Sequence, residues 1–138
     1  MPRCLRSLPG VLAILVAVPA MLEAQRVHEV RLEANADKET YRFNPDEVRA
    51  RPGDVILFKA VNGSPHSIVF ERSELSGSAR EALNGSMTRR SADLSSPLLA
   101  PDGAEYRITV PTLPPGAYDF FCLPHRAYDE RGTLRITK

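Results

Sequence analysis

Hydrophobic and polar residues alternate in short runs along most of this chain. From Val27 to Ala34 (VHEVRLEA), His28, Val30, Leu32 and Ala34 fall on one side and Val27, Glu29, Arg31 and Glu33 on the other. A period of two marks a half-buried β-strand. Asn35 to Lys38 is polar and predicts a turn. Tyr41-Arg42-Phe43 alternates again until Asn44-Pro45 breaks it. Val48 to Ala50 is a short strand ahead of Arg51-Pro52-Gly53-Asp54, whose Pro-Gly pair suits a type II turn. Val55 to Val61 (VILFKAV) is the most apolar run and predicts a central strand. Asn62 to Pro65 is a turn, and His66 to Phe70 (HSIVF) is a strand that opens on a histidine. Ser73 to Leu83 sets Leu75, Ala79, Ala82 and Leu83 along a short helix, with Ser73 as N-cap and Gly85 as stop. Gly85 to Ser96 reads as loop. Glu105 to Val110, Ala117 to Cys122 and Gly132 to Thr137 complete the strands, with the sharp turn Pro114-Pro115-Gly116 before the second of these. About seven or eight short strands with Gly/Pro turns and one short helix predict an all-β sandwich.

Composition narrows this picture. A length of 138 residues suits one ordinary domain, and 12 Pro with 8 Gly fits dense turns. Eighteen Lys+Arg against 17 Asp+Glu leave a net charge of +1, which excludes a broad nucleic-acid footprint. Arg3 and Arg6 precede an apolar run, Val11 to Pro19, that is too short to span a bilayer, and Leu22-Glu23-Ala24 offers a small residue at a cleavage edge. This pattern predicts a secretory signal peptide over residues 1–24. The mature domain, 25–138, would then be periplasmic or extracellular, with no stable membrane insertion once the leader is removed.

The cysteines now become informative. Cys4 and Cys122 are the only two, and cleavage removes Cys4. A lone thiol in an oxidising compartment has to be buried, paired with another chain or bound to metal. Cys122-Leu123-Pro124-His125 sets a thiol and an imidazole three residues apart where a strand runs into a loop, and His66 opens another strand. Strand ends of a sandwich collect at one pole, so these three side chains can meet there. Two imidazoles and one thiolate are the trigonal ligand set of a blue copper site, which adds a weak axial donor. A buried structural Cys122 is the competing reading. His28 reads as a surface residue near the start of the mature domain. Tyr41, Phe43, Phe58, Phe70, Tyr118 and Phe120 read as sandwich core, and Arg89-Arg90 as an exposed loop pair.

Several segments together resemble the cupredoxins, most closely the plastocyanin, pseudoazurin and amicyanin branch. They are Tyr41-Arg42-Phe43-Asn44-Pro45, Arg51 to Phe58 (RPGDVILF), Ser64 to Phe70 (SPHSIVF), Pro115 to His125 (PGAYDFFCLPH) and the closing Gly132 to Ile136 (GTLRI). The likeness covers most of residues 41–138 and is weak from about Glu71 to Ala104. It implies a Greek-key cupredoxin-like sandwich holding one copper ion, Cu(I)/Cu(II), on His66, Cys122 and His125. In the plastocyanin and pseudoazurin pattern the axial Met lies five residues after the second histidine and two before the strand Gly; both counts land on Glu130, and there is no Met after Met87. Tyr128 is the other positional candidate, if the loop packs as in amicyanin. Relatives often carry Asn after the first histidine to tie the ligand loops together, where this chain has the shorter Ser67. Pro124 has no N–H to give the thiolate.

The resemblance implies an exported, monomeric one-electron carrier that breaks no substrate bond and meets redox partner proteins near His125. Arg126 and Arg131 flank that pole and suit an acidic partner. Three alternatives stand beside it: a non-redox metal-binding module for copper delivery, storage or zinc; a metal-free interaction domain; and a cysteine-nucleophile enzyme.

Overall fold

The computed structural model describes residues 24–138, so the expected leader and its cysteine lie outside the described residues. Eight strands form two four-stranded sheets. The first contains β1 (Val27–Asn35), β2 (Thr40–Asn44), β4 (Val55–Ala60) and β6 (Glu105–Thr109), in the order β2-β1-β4-β6. The second contains β3 (Glu47–Ala50), β5 (Val69–Phe70), β7 (Gly116–Phe121) and β8 (Arg131–Ile136), in the order β3-β8-β7-β5. β1 with β4 and β3 with β8 are parallel, and the other pairs are antiparallel. The alternation read from sequence decides which face is buried: Val30 and Leu32 of β1 are sealed while Glu29 and Arg31 face outward.

Between the sheets Phe43, Phe58, Phe70 and Phe120 pack edge to face, with ring centroids 4.9 to 6.3 Å apart. Edge-to-face pairs add about 1 kcal/mol each beyond the area they bury. Gly132 is the position where β8 lets Phe120 in: a Cβ there would lie 2.5 Å from the Phe120 ring. Gly53 takes φ +93 in the turn before β4, a left-handed conformation that glycine adopts without cost, as a type II turn requires.

The region from 66 to 99 departs from the expected elements in three ways. Only Val69–Phe70 is regular strand. His66 to Ile68 instead pairs with an irregular stretch: His66 and Leu99 exchange backbone hydrogen bonds, and Ser96 N–H donates to Ile68 O. The helix, α1 (Gly77–Ser86), starts later than predicted, because Ser76 and not Ser73 accepts the N-capping bond from Ala79 N–H. Gly85 does not stop it, and the helix ends at Met87, buried against Ile108 of β6. Burial of Met87 outweighed the weak helix-breaking tendency of an exposed glycine, which costs about 1 kcal/mol.

Candidate metal centre

Register in the second sheet brings the candidate side chains together. Phe121 pairs with Val69 of β5 on one side and Arg131 of β8 on the other. The residues just beyond these three, Cys122, the His66 segment and Glu130, therefore meet at one end of the sandwich. On β8, Gly132, Leu134 and Ile136 face inward while Arg131 is exposed, and Glu130 continues the inward series. The loop from β7 to β8 is closed at its neck by Cys122 N–H donating to Glu130 O at 3.0 Å. Inside it a 3-10 turn (Arg126–Tyr128) ends at Asp129, whose φ of 58 swings the chain back toward the sheet.

His66, Cys122, His125 and Glu130 are all buried, and one donor atom of each lies within 4.8 Å of all the others. Cys122 Sγ is 3.4 Å from His125 Nδ1 and 4.0 Å from His66 Nδ1. The Glu130 carboxylate lies between the rings, 2.9 Å from His66 Nδ1 and 2.8 Å from His125 Nδ1. Both Nδ1 atoms therefore face the carboxylate across the position a cation would take. His66 Nε2 is buried with no partner. That ring is held by its Nδ1 contacts and by the backbone bridge to Leu99, and not by a second hydrogen bond.

Cys122 is the one free cysteine among the described residues, and its thiol is pushed up to about 12. Burial is the largest cause, followed by the Glu130 charge, while the backbone N–H groups of Ser67 and His125 work the other way. A sealed thiol beside a carboxylate and two imidazoles needs a cation to ionise, and two nitrogens, one sulfur and one oxygen suit a transition metal. The donor set thus fits copper on the geometry and chemistry of these residues.

Each candidate residue has its own surroundings. Glu130 is fully buried rather than solvated, in line with the inward alternation of Gly132, Leu134 and Ile136 that follows it. Tyr128 is 45% exposed and packs on Tyr41. Ser67 reaches further than its size suggested: its backbone N–H donates to Cys122 Sγ at 3.4 Å, and its hydroxyl accepts from Leu123 N–H at 3.0 Å, tying the two ligand segments together. Pro124 lies exposed in the loop. His28 pairs with Asp54 at 3.0 Å, away from the cluster. Tyr41 is a correction. It is not core: its ring stacks on His125, with centroids 3.8 Å apart and planes at 13°. Alternation assigned Tyr41 a face of β2 but not what lies beyond the strand's edge. Arg126 caps the Phe121 ring at 4.3 Å and pairs with Glu71, while Arg131 pairs with Asp129.

A family profile described as copper binding proteins, plastocyanin/azurin family, matches residues 30–137. The chain is 27% identical over 106 residues to plastocyanin of Dryopteris crassirhizoma, covering 77% of this chain and 98% of that protein. It is 30% identical over 127 residues to the chloroplastic plastocyanin minor isoform of Arabidopsis thaliana, covering 92% of this chain and 68% of that protein. Among solved structures, oxidised plastocyanin of Dryopteris crassirhizoma superposes with a TM-score of 0.62 at 26% identity, covering 79% of this chain and 99% of that one.

Proposed function

The chain belongs to the plastocyanin/azurin family of copper-binding proteins, and on that footing we propose that it is an exported one-electron carrier whose copper would be held by His66, Cys122, His125 and Glu130. The observation that carries this reading is the buried convergence of those four donor atoms within 4.8 Å. Bound copper supplies the Cu(II)/Cu(I) couple. The chain's own residues do the rest. Ser67 N–H steadies the Cys122 sulfur, and the Ser67–Leu123 tie joins the two ligand segments. The sheets below hold both segments in one arrangement, so little has to move when an electron arrives or leaves.

Glu130 makes the centre unusual. With the thiol ionised, Cys122 and Glu130 contribute two negative charges in a sealed site. A divalent cation neutralises them, whereas a monovalent one leaves a buried negative charge, which low-dielectric surroundings penalise. Bound copper would then be held preferentially in its oxidised form, which would lower the potential of a two-histidine, one-thiolate centre. The same observation favours a second reading, a non-redox module that holds a divalent ion such as zinc.

Export is part of the proposal. The Arg3/Arg6 and Val11–Pro19 pattern supports a leader cleaved near Ala24, and β1 starts only at Val27, so the cut leaves the sandwich whole. Among the described residues no helix is long and apolar enough to cross a membrane.

Absorption and EPR spectra of the copper-loaded chain, with voltammetry, test the function. An intense thiolate-to-copper band and a reversible couple are expected. Tight colourless binding without a couple selects the non-redox module. Neither copper uptake nor stabilisation by copper would leave a metal-free interaction domain.

A further inference from the structure

Beside the metal centre a groove of about 650 Å³ opens on the first sheet. Tyr41 and Tyr128 line it, their rings meeting at 4.9 Å and 52°. Three cations line it, Arg31, Lys38 and Arg42. Two of those cations share one of its two acids: Glu33 accepts from Arg42 at 2.7 Å and Asn44 at 2.9 Å and pairs with Arg31 at 3.3 Å, so the lining keeps a net charge of +1. The other, Glu39, is exposed. The opposite flank of the molecule has the reverse sign. There a groove of about 610 Å³ is lined by Asp46, Glu47, Glu71, Glu74 and Asp119, with Arg131 as its one cation. An anionic surface is therefore drawn to the Tyr41 side and repelled by the other.

Tyr41 links the cationic groove to the site. Its ring lies flat on His125, and the Tyr41 face is part of the groove wall. We propose that the Tyr41–Tyr128 groove is a lateral docking face for an anionic, one-electron redox partner, with the Tyr41–His125 stack as the contact through which the electron crosses. This rests on the electron-carrier reading. One electron passes from the reduced site to the partner's oxidised centre. No covalent bond forms or breaks, no proton moves, and Tyr41 ends the step unoxidised, since it only bridges the gap. Arg31, Arg42 and Lys38 hold the partner, and the two tyrosines give it a flat apolar seat.

Two measurements test this. The first needs no electron transfer: hexacyanochromate(III), a redox-inert paramagnetic anion, is titrated into the reduced, copper-loaded chain. Amide signals of Lys38, Arg42, Asn62 and Tyr128 should broaden first. Broadening confined to Leu123 and Arg126 at the loop apex, to the acidic groove, or absent at low salt, overturns the proposal. The second is the rate at which the reduced protein gives an electron to hexacyanoferrate(III). Lys38→Glu with Arg42→Glu should slow it by about tenfold at low salt and reverse its salt dependence, while a cationic cobalt(III) oxidant is not slowed. Tyr41→Leu should slow hexacyanoferrate at an unchanged potential, and Tyr41→Phe, which keeps the ring, should restore it. Equal rates for Tyr41→Leu and the parent would remove Tyr41 from the path. If the chain has no reversible copper couple, the carrier reading fails by itself, and the broadening experiment, run on the chain as isolated, still decides whether the groove takes anions.

Discussion

Glu130→Gln changes the charge of the proposed centre with almost no change of shape. In the parent, the carboxylate oxygens lie 2.9 and 2.8 Å from the two Nδ1 atoms that face the site, and the residue has no solvent exposure. A cation held by these donors would face the carboxylate charge at about 3 Å. At an effective dielectric constant of about 20, that interaction is worth about 5 kcal/mol per unit of cation charge. Removing it penalises Cu(II) by one such unit more than Cu(I). The potential should rise by roughly 0.2 V, taking about 59 mV per tenfold change for one electron. Glu130→Met removes the charge and also offers a thioether, so it should rise at least as far and change the visible spectrum. Film voltammetry of the parent and both variants reads the shift, and EPR reads the change of donor. A rise below about 60 mV, less than tenfold in the equilibrium, with an unchanged spectrum in both variants, would remove Glu130 from the metal and with it the charge-balance reasoning.

Four other predictions rest on separate features. Ser67→Ala leaves the Leu123 N–H without its acceptor and should cost about 1–2 kcal/mol in urea unfolding, with Ser67→Thr close to the parent. Gly132→Ala drives a methyl to 2.5 Å from the Phe120 ring and 3.0 Å from Asp46 O, and should destabilise by about 1–3 kcal/mol; Gly85→Ala, where a Cβ meets nothing, should instead stabilise α1 by about 0.5–1 kcal/mol in the same assay. Burial pushes Asp54 up, but bonds from the His28 ring and from Arg51 and Arg26 N–H outweigh it and hold the carboxyl below its ordinary value. A carboxylate held low stabilises the fold above the ordinary aspartate range and loses that contribution as pH falls through its folded value. Asp54→Asn should thus be about 1 kcal/mol less stable at neutral pH and converge with the parent in acid, as pH-dependent urea unfolding would record.

Much of the fold was legible because strand alternation is a local property. The faces of β1, β7 and β8 follow from residues two apart, and the burial of Val30, Leu32, Phe120, Leu134 and Ile136 obeys them. The segment from 66 to 99 was less legible. His66 to Ile68 has a strand-like composition, yet its partner is the irregular 94–99 stretch, whose Ser96 hydroxyl accepts from Ile68 N–H. Nothing periodic announces such pairing. The start of α1 moved from Ser73 to Ser76 because either serine can cap, and only packing of Ala79 and Leu83 selects between them.

The local order of residues by itself determined the strand faces, the Gly-Pro punctuation and the donor types brought to the pole: His66, Cys122 and His125. Only the tertiary structure decided that Glu130 points inward between both imidazoles, that Ser67 bridges the ligand segments, and that Tyr41 lies flat on His125. His66 and Glu130 are 64 positions apart, and their contact depends on Phe121 pairing with β5 and β8 at once. A side chain's period is set by its neighbours along the strand, but its partner is set by sheet register, which is settled only when both faces of the sandwich are packed.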